Sequence, residues 1–578
     1  MMITSLPRAV VRQRFRSILH SIRPICFFFL VLFVLSNIHM MVAHAATLTV
    51  PAGGDLQGAI LAAQPGDTII VEAGATFSGT FHLPLKAGDE YVTIQSSRLA
   101  ELPPGQRVTP GQSHLMPKIV TPGLGNPALH TVPGAHHYRI LGIEFATAEA
   151  DTFTYELITL GYEGESQDTL EEVPHHLTID RCYIHAFPEQ SLKRGVTVNS
   201  AHTDIVNSYI SGFKATGQDT QAVLGWNGPG PFKIINNYLE ASGENVMFGS
   251  GDPSIPGLVP SDIEIRRNHF YKPLEWRGVW LVKNLLELKN AQRVTIEGNV
   301  FENCWSSGQN GLAIVLTPRN QYGTAPWSVV QNVLFVNNIV RHVANAFYIT
   351  GRDDIFFQTT PTNNITIRNN VFEDISAQWT STGQTRFLTI IDTDDVIIDH
   401  NTIFQEKSMI FGFGAPNRNF RYTNNISHYG EGIQGDNTSV GNGAVAAYFP
   451  GSTITSNILT GGATVFWDSI ENHYPPGNFY PATMEEVGFV NYNGGAGGNY
   501  RLQGSSEYRA RGTDGGDLGA DIDALEAAQA GTTTSPPPIP PPMPTPEPTP
   551  APEPEPTPEP EPAPEPEQTP EPEPEPTP

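Results

Sequence analysis

Glu287 and Lys289 stand two residues apart in the run Leu286-Glu287-Leu288-Lys289. If that run is a strand, both side chains leave the same face. A carboxylate beside an amine can hold a cation or pass a proton. Glu244, Asn245 and Asp252 lie about forty residues earlier, and Arg319 thirty later.

What must bring these residues together is a repeat. The phrase apolar, any, apolar, any, any, Asn, any, apolar runs from Val294 to Phe301 and returns at Ile263–Phe270, Val333–Val340, Ile365–Phe372 and Val396–Ile403. Its anchor falls at Ile143, Cys182, Ser208, Asn237, Asn268, Asn299, Asn338, Asn370, Asn401, Asn425 and Asn457. Alternating apolar residues rich in Val, Ile, Thr and Phe have the period of a strand, and recurrence at a near-fixed spacing means stacked coils. The spacing predicts an all-β chain: a right-handed parallel β-helix of about ten to twelve coils. Asn tolerates left-handed backbone, so the Asn column is expected to turn the chain between strands and to hydrogen-bond from coil to coil. A second strand precedes each phrase. Its expected inward pairs are Ile158/Leu160, Val196/Val198, Ala222/Leu224, Val246/Phe248, Leu286/Leu288, Ile314/Leu316, Phe347/Ile349 and Leu388/Ile390. In that register Glu287 and Lys289 are the sole charged entries of the two outward columns.

Long inserts at 250–260, 272–283 and 306–327 flank this point, and Trp276, Trp280, Trp305 and Trp327 lie in or beside them. Aromatic faces together with Arg277, Lys283 and Gln309 are expected to wall a groove suited to sugar rings. The plainer alternative is a surface ion pair over buried tryptophans.

The ends differ from the repeat. Residues 1–45 have the form of a secretory signal: Arg8, Arg12, Arg14, Arg16 and Arg23, an apolar run from Ile25 to Leu35, and Ala43-His44-Ala45 as a cleavage site. The expected location is therefore extracellular or periplasmic. Residues 46–525 are assigned to the β-helix. Asp55 is expected to cap a short helix that plugs its N-terminal end. Residues 526–578 become a Pro/Glu-rich tail, a polyproline II spacer or a contact to the cell envelope. Net charge is −26, which argues against nonspecific nucleic-acid binding. Cys182 and Cys304 lie about four coils apart, about 19 Å at the spacing of stacked strands, so two free buried thiols are expected.

The entry segment Val50-Pro51-Ala52-Gly53-Gly54-Asp55-Leu56-Gln57 resembles that of pectate-lyase-like β-helix proteins. The stretch Gly243-Glu244-Asn245-Val246-Met247-Phe248-Gly249, then Glu287-Leu288-Lys289-Asn290, then Leu316-Thr317-Pro318-Arg319-Asn320 is similar in layout to polysaccharide lyases of the alginate lyase and chondroitinase B type. It departs from their Asn-Lys-Ser and Arg-His-Gly orders. The resemblance implies calcium-assisted β-elimination on a uronate-containing, anionic polysaccharide by a secreted monomer. Lys289 would be the base and Arg319 its aid, with Glu244, Glu287 and Asn245 or Asp252 holding the metal. A glycoside hydrolase using Asp353-Asp354 or Asp394-Asp395, and a non-catalytic glycan-binding or surface module, are the alternatives.

Overall fold

The computed structural model describes residues 45–353, 357–461 and 469–530. The signal-like segment before residue 45 and the Pro/Glu-rich tail after 530 lie outside the described residues, as does Asp354. The described strands form three parallel sheets of 14, 13 and 12 strands, each running in chain order, plus one antiparallel hairpin. One coil contributes a strand to each sheet: Ser261–Arg266 to the first, His269–Tyr271 to the second and Leu286–Leu288 to the third. This is the parallel β-helix that the repeat implied, right-handed as parallel crossovers are.

The repeated phrase supplies the first two sheets. Ile263, Val294, Val333, Ile365 and Val396 stack in register, and so do Ile265, Ile296, Phe335, Ile367 and Ile398. After the turn, Phe270 and Phe301 stack at 4.3 Å. One buried core cluster threads the coils from Val50 to Tyr474. Cys182 and Cys304 are both free and buried, and burial pushes both thiols up to about 12.

The Asn column makes the coil-to-coil hydrogen bonds expected of it but not the left-handed turn. The left-handed residue is the one before it: Arg181, Asn207, Asn236, Arg267, Asn337, Asn369, His400, Asn424 and Ser456, each with φ between 51° and 60°. The column itself points inward and is fully buried from Asn237 to Asn457. Each Oδ1 accepts from the previous coil, as in Asn237 N to Asn268 at 2.8 Å and Asn268 N to Asn299 at 2.8 Å, and the ladder ends on Asn478. Each Nδ2 returns a bond to a strand carbonyl, as Asn268 does to Ile234 at 2.7 Å. A buried amide column in which every group has a partner closes the corner between two sheets.

At the N-terminal end the helix Leu56–Ala62 buries Leu56 and Ile60, and the Asp55 carboxylate accepts the Gly58 N–H, as expected. The other end is less simple. The segment around Tyr500 to Asp521 runs back along the second sheet. Phe489, Tyr500, Leu518, Ile522 and Leu525 pack on Val371, Phe404, Ile426 and Ile458. Ala520 N donates to Thr402 Oγ1 at 3.0 Å. The helix Ile522–Ala528 crosses the expected boundary at 525, because its apolar face covers outward residues of that sheet.

Candidate active-site groove on the third sheet

Six strands of the third sheet frame the candidate site: β1 (Gln221–Gly225), β2 (Glu244–Phe248), β3 (Leu286–Leu288), β4 (Leu312–Leu316), β5 (Asn345–Thr350) and β6 (Arg386–Ile391). Met247, Glu287, Val315, Tyr348 and Thr389 pair in sequence across β2 to β6. This is the expected register except on β1, where Val223 rather than Ala222 meets Val246, and Leu224 meets Met247. The slip has a physical cause. On most of these coils two consecutive residues enter the core, such as Leu285-Leu286, Ala313-Ile314, Ala346-Phe347 and Ala222-Val223. Strict alternation fails there, and Leu224 joins Trp226 and Met247 in a separate cluster. The residue before the doublet becomes outward, which creates a further column of Gln221, Glu244, Asn284, Leu312, Asn345 and Arg386.

Glu244 and Glu287 are both buried, at 0% and 2% exposure. Gln221 Nε2 donates to Glu244 Oε2 at 2.7 Å. Lys283 Nζ lies 3.1 Å from Glu244 Oε1 and 2.8 Å from Asp219 Oδ2. Lys289 Nζ lies 3.4 Å from Glu287 Oε1. Burial works against the Glu244 charge, but Lys283 and Lys289 outweigh it and hold its carboxyl below the usual range. Burial pushes the Glu287 carboxyl up; Lys289 opposes this and Glu244 reinforces it. Burial also works against the Lys283 ammonium, yet Glu244 and Asp219 hold it well above the usual lysine range. Lys283 is thereby fixed as a cation and is no base at neutral pH.

Among the described residues, Glu244 Oε1, Glu287 Oε2 and Asn284 Oδ1 are buried oxygens with no hydrogen-bond donor. Glu244 Oε1 has the Lys283 ammonium as its ion-pair partner. Glu244 Oε1, which Lys283 contacts, and the buried Asn284 Oδ1 and Glu287 Oε2 are hard oxygen donors of the kind that Ca2+ takes.

The other expected ligands are engaged elsewhere. Asn245 occupies the inward doublet position. Its Nδ2 donates to Leu239 O at 2.6 Å and Tyr271 O at 3.0 Å, and its Oδ1 accepts from Lys272. Lys272 is itself buried, caps the carbonyls of Ala241, Ser242 and Gly243, and is pushed down to about 8 by burial. Asp252 Oδ2 accepts from Tyr322 N, Thr324 N and Thr324 Oγ1 and so fastens the loop beyond β4, while its Oδ1 is a further buried oxygen with no hydrogen-bond donor.

A groove of about 710 Å³ opens beside Glu287. Gln309, Thr317, Arg319, Tyr348 and Arg386 are among its walls, and its charged residues are Glu287, Arg319 and Arg386. Arg319 Nη1 pairs with Asp353 at 2.9 Å, and Arg386 stacks on Phe411 at 4.0 Å. Gln309 Oε1 accepts from Asn284 at 2.9 Å and so joins the groove to the carboxylates. The tryptophans do not form its walls. Trp276 and Trp305 are buried with Val282, Ala344 and Trp379 beneath Trp280, because the insert folds back on itself. Trp280 lies 5.4 Å from Lys214. Arg277 leaves the site and donates to Gln378 O at 2.6 Å. Trp327 donates to Leu258 O at 3.0 Å. Tyr348 and Arg386 were missed in the sequence. Tyr348 stood in the outward column as a neutral residue, and the column holding Arg386 is visible only once the inward doublet is known. The carboxylates considered for hydrolysis are dispersed: Asp353 holds Arg319, and Asp394 holds Arg418 on the first sheet.

No family model and no curated protein matches this chain. Solved structures do resemble it. The PL6-family alginate lyase AlyGC aligns with a TM-score of 0.49 and 14% identity over 86% of this chain and 59% of that one. The A-module of the Azotobacter vinelandii mannuronan C-5 epimerase AlgE6 gives 0.41 and 12% over 70% and 93%. Pectate lyase Pel9A gives 0.34 and 12% over 83% and 96%. The likeness is one of fold.

Proposed function

We propose that the groove binds an anionic polysaccharide and cleaves it by β-elimination. The observation that carries this reading is the buried Glu287 carboxylate with Lys289 on it and Glu244 and Asn284 as further oxygen donors, at the edge of a groove whose other charges are both arginines. In a chain of net charge −26, a locally basic groove selects an anion.

Arg319 and Arg386 receive the sugar carboxylates. Lys289 takes the proton at C5 of a uronate ring. The C5–H electrons form a C4–C5 double bond and the C4–O bond breaks. The Tyr348 hydroxyl gives its proton to the departing oxygen and recovers one from water. Arg319 steadies the charge on the carboxylate as the proton leaves. Glu244, Asn284 and Glu287 would hold Ca2+, which neutralises a uronate carboxylate and acidifies the C5 proton. Lys283, pinned as a cation, keeps Glu244 ionised.

Secretion and action as a monomer belong to the same proposal, and the signal-like residues 1–45 support the first. Ultraviolet absorbance of unsaturated uronate, measured beside reducing-sugar release on a panel of anionic polysaccharides with and without chelator, tests the reading. Unsaturated product that is lost with chelator supports it. Reducing ends without unsaturation would show a hydrolase, and binding without either product a glycan-binding module.

A further inference from the structure

Five of the chain's 17 histidines, His136, His137, His175, His176 and His202, lie on three successive strands of the first sheet. His136 pairs in register with His175, and His175 with Ala201. The second residue of each coil here is left-handed: His137 at φ 59°, His176 at 57° and His202 at 48°. That backbone turn breaks the strand alternation and brings neighbouring side chains together. His136 Nδ1 lies 2.7 Å from His137 Nδ1, and His175 Nδ1 lies 2.7 Å from His176 Nδ1. The rings stack between coils: His136 on His175 at 4.8 Å, His137 on His176 at 4.4 Å, and His176 on His202 at 4.4 Å. One ligand nitrogen from each of His136, His137 and His175 falls within 4.8 Å of the other two.

We propose that His136, His137 and His175, with His176 and His202 stacked beside them, bind a divalent transition metal of the Zn2+, Ni2+ or Cu2+ class. Imidazole nitrogens suit these ions, and the set lacks the oxygen ligands that Ca2+ or Mg2+ requires. A nitrogen–nitrogen contact of 2.7 Å aims two lone-pair positions at one point between the rings, with one proton shared. Bonds of about 2.0–2.1 Å to a metal set ligand nitrogens roughly 3.3 Å apart in a tetrahedron, so each pair opens by about half an ångström. The ring that donated the shared proton moves it to Nε2, so the ion enters by a change of tautomer without loss of a proton. His136, His175 and His176 are half-buried, which leaves an ion a path from solvent. The site is on a different sheet from the groove and does not depend on the function proposed for it.

The test uses the full chain without a histidine tag, stripped with EDTA and titrated with Zn2+ and Ni2+ by calorimetry, with bound metal counted by mass spectrometry. One ion per chain with a micromolar or tighter Kd is expected. His175→Gln and His136→Ala/His137→Ala should weaken binding about 100-fold, while His114→Ala leaves it unchanged. Circular dichroism checks that each variant keeps its fold. Cu2+ bound to the unmodified chain should show hyperfine coupling to three or more nitrogens by electron paramagnetic resonance, a readout independent of any variant. No bound ion, coupling to fewer than two nitrogens, or undiminished affinity in the folded His175→Gln protein would overturn the proposal.

Discussion

Replacing Asn268 by Ala, and separately Arg267 by Gly, tests which residue of the repeated phrase holds the corner. Asn268 makes four side-chain hydrogen bonds: its Oδ1 accepts from Asn237 N at 2.8 Å and Asn237 Nδ2 at 3.1 Å, and its Nδ2 donates to Ile234 O at 2.7 Å and Asn299 Oδ1 at 3.0 Å. The site is fully buried, so water does not replace them. At about 1 kcal/mol for each bond lost, with a further 1 kcal/mol or so for the stranded Asn237 N–H, the cost is about 3–5 kcal/mol. Arg267 carries the left-handed φ of 54° with an exposed side chain, a conformation glycine adopts without strain. Arg267→Gly should therefore cost under about 1 kcal/mol. Urea unfolding followed by circular dichroism gives both values. Hydrogen exchange at Asn237 N–H reports the corner locally, which matters because coils of a solenoid can open separately. A loss under about 1 kcal/mol for Asn268→Ala, or an equal loss for both variants, would refute the amide ladder as the source of corner stability.

Lys289→Ala should lower the rate of unsaturated-product formation by about 10²–10⁴-fold, the usual range for a lost general base, with circular dichroism checking that the fold is kept. An unaltered rate removes Lys289 from the mechanism. Asn284→Ala should raise the calcium concentration needed for half-maximal activity about tenfold or more while sparing the fold, and an unchanged calcium requirement would place the ion elsewhere. Burial pushes the Glu240 carboxyl up to about 7, against the Tyr238 hydroxyl and Gly212 N–H bonds that favour its charge. Its folded pKa is above the unfolded one, so its contribution is whole below about pH 4.5 and is lost as pH rises to 7. Glu240→Gln should match the parent at pH 4 and exceed it above pH 7 by about 1–2 kcal/mol, a figure reduced for the solvent that reaches this partly exposed side chain. Equal thermal stability at pH 8 would count against the shift. Cys182 and Cys304 should resist thiol reagents in the native protein and react on unfolding; fast native labelling would show that one or both are accessible.

The strand periodicity around Val294–Phe301 was readable because each coil must bury the same face against the same neighbours. The outlying Glu287–Lys289 pair was readable for the complementary reason, since charge is conspicuous in a column of small or neutral residues. The role of the Asn column was misjudged by one position: a left-handed turn needs Arg267, whereas the buried amide beside it needs a partner one coil away. The Ala222 register failed because two consecutive inward residues leave no trace in an alternation rule. Trp276 and Trp305 looked like platforms from their place in an insert, but where an insert folds is decided by what it can bury.

By itself the sequence determined the stacked parallel coils, the helix capped by Asp55, the two unpaired thiols, and the coil on which Glu287 and Lys289 stand. Local pattern suffices for these because each depends on a short segment repeated at one spacing. Only the tertiary structure decided that Asn245 is turned inward onto Lys272, that Lys283 is locked to Glu244 and Asp219, that Tyr348 and Arg386 share a groove with Arg319, and that five histidines meet on one face. Stacking places residues 25 to 40 apart in the chain at about 4.8 Å from one another, and a backbone turn of one residue chooses which of them meet.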